Sequence, residues 1–395
     1  MKVVNFVSLL LIISCTNQNQ SRIDAGWIRT ITPLDSLTLD FVSADTLNLR
    51  DFVLGDYADY QIVEKDDTTF LIGINSRDHA LDVINLTTKV SEKQIQFALN
   101  GPDGIKGMID GFFYHNADSI FILSIDENAI HLFNNRARKI NKYEFSNVPL
   151  PDGFTEYDVY ADQGLMNGPY YNAKNKTLQL YTYRWVDARN DNYDYKAFAS
   201  YSIEDNEFKS IYGVYPDHFK KGVNFSLYND PSLLVIDDIS YVYFSTSPDI
   251  QVYNNQTGDL LYVVNYHSDH WSGSPESLPS NVDFQQEQDW LNNVAAYIFL
   301  IHDSENEVIY RLMKHKQQVA GDNGLLNPRW LGEWSVDIFD LGLKPIGHFQ
   351  IPSKKVLPAI AFTANGKLWL KTPFEPANED LSLYYQLGLR ERSNE

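Results

Sequence analysis

Along most of the chain, apolar and polar residues alternate in short runs that break at polar clusters and then resume. Residues 69–74 (TFLIGI), 118–123 (DSIFIL) and 178–183 (LQLYTY) are runs of this kind. Their β-branched and aromatic content predicts strands. Few stretches carry a helical period. Five segments share one form, an apolar strand followed by a polar turn: DVINL at 82–86, HLFN at 131–134, YSI at 201–203, QVYN at 251–254 and DIFD at 337–340. With Ile84, Phe133, Ile203, Tyr253 and Phe339 taken as equivalent, the spacings are 49, 70, 50 and 86 residues. That points to a unit of about 45 to 50 residues carrying insertions, the size of a propeller blade.

A sixth unit is visible near the C-terminus, where residues 359–362 (AIAF) precede the hairpin signal Asn365-Gly366, followed by strands at 368–370 and 381–385. It lacks a fourth strand. A segment from residues 36–42 or 46–49 supplies one and hides both edges. The expectation is an all-β chain, a six-bladed β-propeller closed by an N-terminal strand, forming one domain over 36–395 and acting as a monomer. A pair of β-sandwiches or an open β-solenoid is the alternative. No Pro- or Gly-rich linker interrupts the middle of the chain, which speaks against the sandwich pair. The Trp-Asp, kelch and Ser-x-Asp-x-Gly-x-Thr-Trp blade signatures are all missing.

The first residues tell a different story. Met1 and Lys2 lead into an apolar run from Val3 to Ile13 that is too short to span a bilayer, which needs about 20 residues. A positive start, a short apolar stretch and the small Ser14 are the layout of a secretory signal peptide over residues 1–14. Cys15 follows at once and is the only cysteine in 395 residues. An exported chain with one thiol forms no internal disulfide, so its stability rests on the core. The formal charge is −20. Such an acidic surface repels nucleic acid and anionic headgroups, and nucleic-acid binding is excluded first.

The stretch Ile12-Ile13-Ser14-Cys15 resembles the lipobox of bacterial lipoproteins. That resemblance implies a lipid on Cys15, a tether over 15–35 and the membrane as a partner. Thr16 to Ser21 contains no acid, so it lacks the acidic run that resembles a surface-export tag, and a periplasm-facing place at the outer membrane is expected. Together with the blade series, and with residues 334–340 (WSVDIFD) followed by Gly347-His348-Phe349, the layout resembles uncharacterised lipoproteins of Bacteroidetes-type bacteria that carry a domain of unknown function. The resemblance runs from Cys15 to about Leu389. It implies an envelope location and a six-bladed propeller, and supplies no catalytic residues.

Candidate chemistry is sparse. His267, Asp269 and His270 sit close enough in sequence to converge on a divalent metal, although polar loops collect such residues anyway. Arg184 and Trp185 open an insertion rich in acids and aromatics that suits stacking on a sugar or a partner chain. Tyr114, His115, Tyr170 and Tyr171 lie on expected inner strands, where a propeller channel binds ligands. No Gly-x-Ser-x-Gly elbow, His-Glu-x-x-His motif or phosphate loop occurs. The functional expectation is a binding or scaffolding module for another envelope protein or a glycan. The alternatives are a metal-assisted, lactonase-like hydrolase and a carbohydrate binder, with no cofactor specified beyond a divalent metal.

Overall fold

The computed structural model describes residues 28–30, 36–49, 57, 59–146, 148–149, 158–159, 169–183, 193, 195–220, 222–279, 281–318, 332–351, 360–372 and 380–392. Within them the chain is all-β, as its alternation predicts, with a single α-helix among the described residues. Strands β1 (Ile28–Thr30) and β2 (Leu37–Asn48) come first. The first antiparallel meander is β3 (Tyr60–Lys65), β4 (Thr68–Asn75), β5 (Ala80–Asn85) and β6 (Val90–Gln96). The second is β7 (Gly111–Asn116), β8 (Ser119–Ser124), β9 (Ala129–Phe133) and β10 (Lys139–Glu144). In the third, β11 (Asp158–Val159) joins β12 (Tyr170–Asn172), β13 (Thr177–Tyr183), β14 (Lys196–Ser202) and β15 (Glu207–Val214).

The fourth unit comprises β16 (Pro231–Ile236), β17 (Ile239–Phe244), β18 (Asp249–Asn254) and β19 (Leu260–Asn265), with β1 added in parallel to its outer edge. Helix α1 (Phe284–Asn293) precedes the fifth, β20 (Ala296–Asp303), β21 (Val308–Lys314), β22 (Trp334–Asp340) and β23 (Pro345–Ile351). The last has three strands of its own, β24 (Ala361–Ala364), β25 (Lys367–Lys371) and β26 (Leu381–Glu391). Its fourth position is filled by β2, antiparallel to β26 from Leu37↔Glu391 to Asn48↔Leu381. The five sequence equivalents each lie within one residue of the end of the third strand of successive units. The helix was not legible, because its apolar positions are few and it sits inside a polar insertion.

These strands form four sheets, none closed on itself. Beyond its pairing with β26, β2 touches β23 at Leu37↔Gly347 and β6 at Asn48↔Val90, so the fifth, last and first units share one sheet. Gly347 allows that approach, because a Cβ there would sit 2.2 Å from the Leu37 carbonyl oxygen.

The core lies between units. On β8, Phe121 and Leu123 pack with Leu178, Leu180 and Tyr201 of the third unit, whereas Ile120 and Ile122 pack with Ile72, Leu81 and Val83 of the first. Both faces of one strand are thus apolar, which explains runs such as IFIL without a polar side. Polar side chains bridge the same seams where strands of different units cannot form a ladder. The Gln61 amide accepts from Tyr114 N at 2.8 Å and donates to Tyr114 O at 3.1 Å, joining the first unit to the second. Tyr170 packs on Phe113 between the second and third. Buried Gln251 spans the third and fourth through both backbone groups of Val214. Tyr243 Oη donates to Ile298 O across the fourth and fifth, Thr363 Oγ1 to His302 O across the fifth and last, and Tyr60 Oη to Ala361 O from the first back to the last.

Candidate functional site

In each meander, the first-to-second and third-to-fourth turns lie at one end, and the second-to-third and unit-to-unit connections lie at the other. The first set is uniformly short, from residues 66–67 to residues 134–138. Asn365 and Gly366, both at positive φ, make one of these turns, as the hairpin signal predicts. Among the described residues the other set includes 97–110, 215–220 with 222–230, and 266–279 with 281–295, the last carrying α1. An Asp283 capping box starts α1, and Lys314 ends it by donating from its buried Nζ to Leu291 O, Asn292 O and Val294 O.

Below this end, the fifth unit carries a row of ionisable side chains. The register places Arg311, Asp337 and His348 side by side on β21, β22 and β23. Arg311 and Asp337 are 1% and 0% exposed. Arg311 Nη2 donates to Asp337 Oδ2 at 3.3 Å and to Tyr266 O at 2.7 Å, and Nη1 donates to Pro248 O at 2.9 Å, so the guanidinium also ties the fifth unit to the fourth. Its Cζ lies 3.9 Å from the centre of the Tyr297 ring. Asp337 Oδ1 accepts from His348 Nδ1 at 3.2 Å. That contact orients the partly exposed imidazole and leaves its Nε2 edge turned away from Asp337.

His270, on the 266–295 connection, stacks on His315 with ring centres 3.8 Å apart and planes 23° apart; His348 is 6.4 Å from His270. His315 Nε2 pairs with Ser335 Oγ at 2.9 Å, while its buried Nδ1 makes no hydrogen bond and lies 3.9 Å from Glu333 Oε2. Burial, and then the neighbouring His270, His348 and Lys314, push the His315 imidazole down to about 4. The cluster therefore sets a neutral His315 imidazole and two neighbouring aromatic imidazoles beside a fixed ion pair.

The sequence candidates fare unevenly. His270, itself exposed, enters this cluster through its stack on His315, whereas His267 and Asp269 are exposed beside it. Among the described residues, no three His, Cys, Asp or Glu side chains are grouped to hold a metal ion. Tyr114 and His115 lie on β7, and Tyr170 and Tyr171 on β12, as first strands of their units. His115 meets Tyr171 edge-on at 5.3 Å, and Tyr171 packs on Phe121 at 4.5 Å, so this group fills the seam between the second and third units. Tyr114 also lines a crevice of about 190 Å³ with Val63, Phe70 and Lys93. Cys15, Arg184 and Trp185 lie outside the described residues.

A model of the domain of unknown function DUF4221 matches residues 38–347, most of the chain. The chain belongs to the DUF4221 family. No curated protein matches it. A DUF4221 member from Bacteroides vulgatus has a similar structure, with a TM-score of 0.71 at 14% identity over 91% of this chain and 99% of that one. A Bacteroides fragilis protein named "Putative exported protein" aligns with a TM-score of 0.55 at 11% identity, covering 93% of this chain and 100% of that one. At these identities the likeness concerns fold alone.

For this DUF4221 chain, sequence reasoning missed His315, His348, Arg311 and Asp337. The only signal for His348 was its place in the Gly347-His348-Phe349 stretch. His315 and Asp337 meet His270 through a register and a unit-to-unit contact that no spacing encodes.

Proposed function

We propose that this DUF4221 chain is a lipid-tethered envelope protein whose six units are the blades of a β-propeller closed by β2. In this reading it binds another envelope component at the end that carries the long connections. The observation that carries the reading is the division of connections: short turns at one end, and at the other longer segments, one of which brings His270 onto the imidazole cluster. Rigid scaffolds place recognition on such loops. The side-chain bridges that run from each unit to the next, and from the last to the first, support the ring. Lys2, the apolar run and Cys15 support export and lipidation, and one structural neighbour carries export in its name.

The test is site-specific photo-crosslinking of the full-length protein in its native envelope. A photoreactive residue replaces Leu227 or Phe284, on long connections, or Asp205, on a short turn. A discrete adduct from positions 227 and 284 with none from 205 is the expected result. Equal adducts from all three, or none from any, overturn the binding reading. Export with lipidation is tested separately by Cys15→Ser, which should release the protein from the membrane fraction.

A further inference from the structure

Two facts about the N-terminal segment bear on how the molecule meets a membrane. Twelve residues, 16–27, separate Cys15 from Ile28. Even fully extended they span at most about 45 Å. Strand β1 is fixed to the outer edge of the fourth unit by parallel pairs Ile28↔Val263, Arg29↔Val264 and Thr30↔Asn265. The Arg29 guanidinium lies 4.0 Å over the Tyr262 ring. A lipid on Cys15 therefore keeps this edge, more than any other part of the described chain, close to the bilayer.

That same rim exposes apolar side chains. Ile28 and Leu261 are 41% and 37% exposed on paired strands. Tyr241 and Val252, both buried, and the partly exposed Tyr262 form a cross-strand row, and Tyr241 Oη donates to Leu341 O at 3.2 Å, which brings the Leu341 turn of the fifth unit beside Tyr262. Leu341 is also 37% exposed. Aromatic and apolar side chains with an arginine at hand suit the boundary between headgroups and acyl chains. The chain's charge of −20 disfavours an anionic surface and leaves a zwitterionic one.

We propose that the rim formed by β1, β19 and the 341–344 turn rests on the bilayer surface, its occupant a zwitterionic lipid headgroup layer. The inference rests on the lipid tether of the preceding section. It leaves the end with the long connections free for the partner.

Full-length lipidated protein in vesicles of phosphatidylethanolamine with a minor fraction of phosphatidylglycerol provides the test. Once Cys15 carries lipid, the chain has no other thiol, so Leu261→Cys, Leu341→Cys and Ile140→Cys each accept one fluorophore. Ile140, 54% exposed on β10, is the apolar control away from the rim. Lipids spin-labelled near the headgroup should quench positions 261 and 341 at least threefold more than position 140. Equal quenching with lipid confirmed on Cys15 by mass spectrometry overturns the rim contact and leaves the tether standing. An unmodified Cys15 overturns the tether, and this inference with it. Positions 261 and 341 serve as independent reporters should either substitution impair folding.

Discussion

Asp337→Asn removes one charge from the buried row of the fifth unit with almost no change in volume. Arg311 and Asp337 approach to 3.3 Å with both side chains essentially inaccessible. At an effective dielectric constant of about 20, that separation corresponds to roughly 5 kcal/mol of attraction. The amide keeps a hydrogen bond of about 1 kcal/mol, so a net loss of about 4 kcal/mol is expected, in the range seen when a buried cation loses its partner. At roughly 2.1 cal/mol/K per residue, the unfolding entropy of about 360 residues is near 0.75 kcal/mol/K, and the loss appears as a fall in Tm of about 5 °C. The assay is thermal and urea unfolding of wild type, Asp337→Asn, Arg311→Met and the double variant. Because Arg311→Met removes the cation that makes the amide costly, the double variant should be at least 2 kcal/mol more stable than the sum of the single losses predicts. A fall below 1 °C for Asp337→Asn, or additivity within 0.5 kcal/mol, refutes the view that the pair acts as a unit.

Two further outcomes follow from the same geometry. The folded His315 value of about 4 lies below the 6.5 of an unconstrained imidazole, so between these values the unfolded chain binds the extra proton. Stability is full above about pH 6.5 and falls as the pH drops towards 4; His315→Gln should flatten that fall by up to about 1.4 kcal/mol per pH unit, and an unchanged slope in urea titrations from pH 7 to 5 counts against it. Gln251 is 1% exposed and satisfies Val214 N at 3.0 Å and Val214 O at 2.5 Å. Gln251→Leu should therefore cost about 3 kcal/mol and raise amide exchange at Val214, whereas a loss under 1 kcal/mol would show that the seam between the third and fourth units does not need this bridge.

What the sequence alone determined is local. Alternation at period two, β-branched and aromatic runs, and turn residues such as Asn365-Gly366 depend on neighbours along the chain, so they fixed the strand class and the recurrence of a unit. The missing fourth strand of the last unit was equally legible, because an unpaired edge is a deficit that can be counted. Tertiary structure decided the rest. Which of the early strands completes the last unit depended on pairing across more than 300 residues, and it used nearly all of β2, from Leu37 to Asn48. The candidate site was legible only at His270. His315 reaches it by following β21, and His348 by standing opposite Asp337 in the β22–β23 register. Contacts of this kind arise from strand register and from the packing of one unit on the next, and both are set by burial over the whole sheet rather than by any residue's spacing from another.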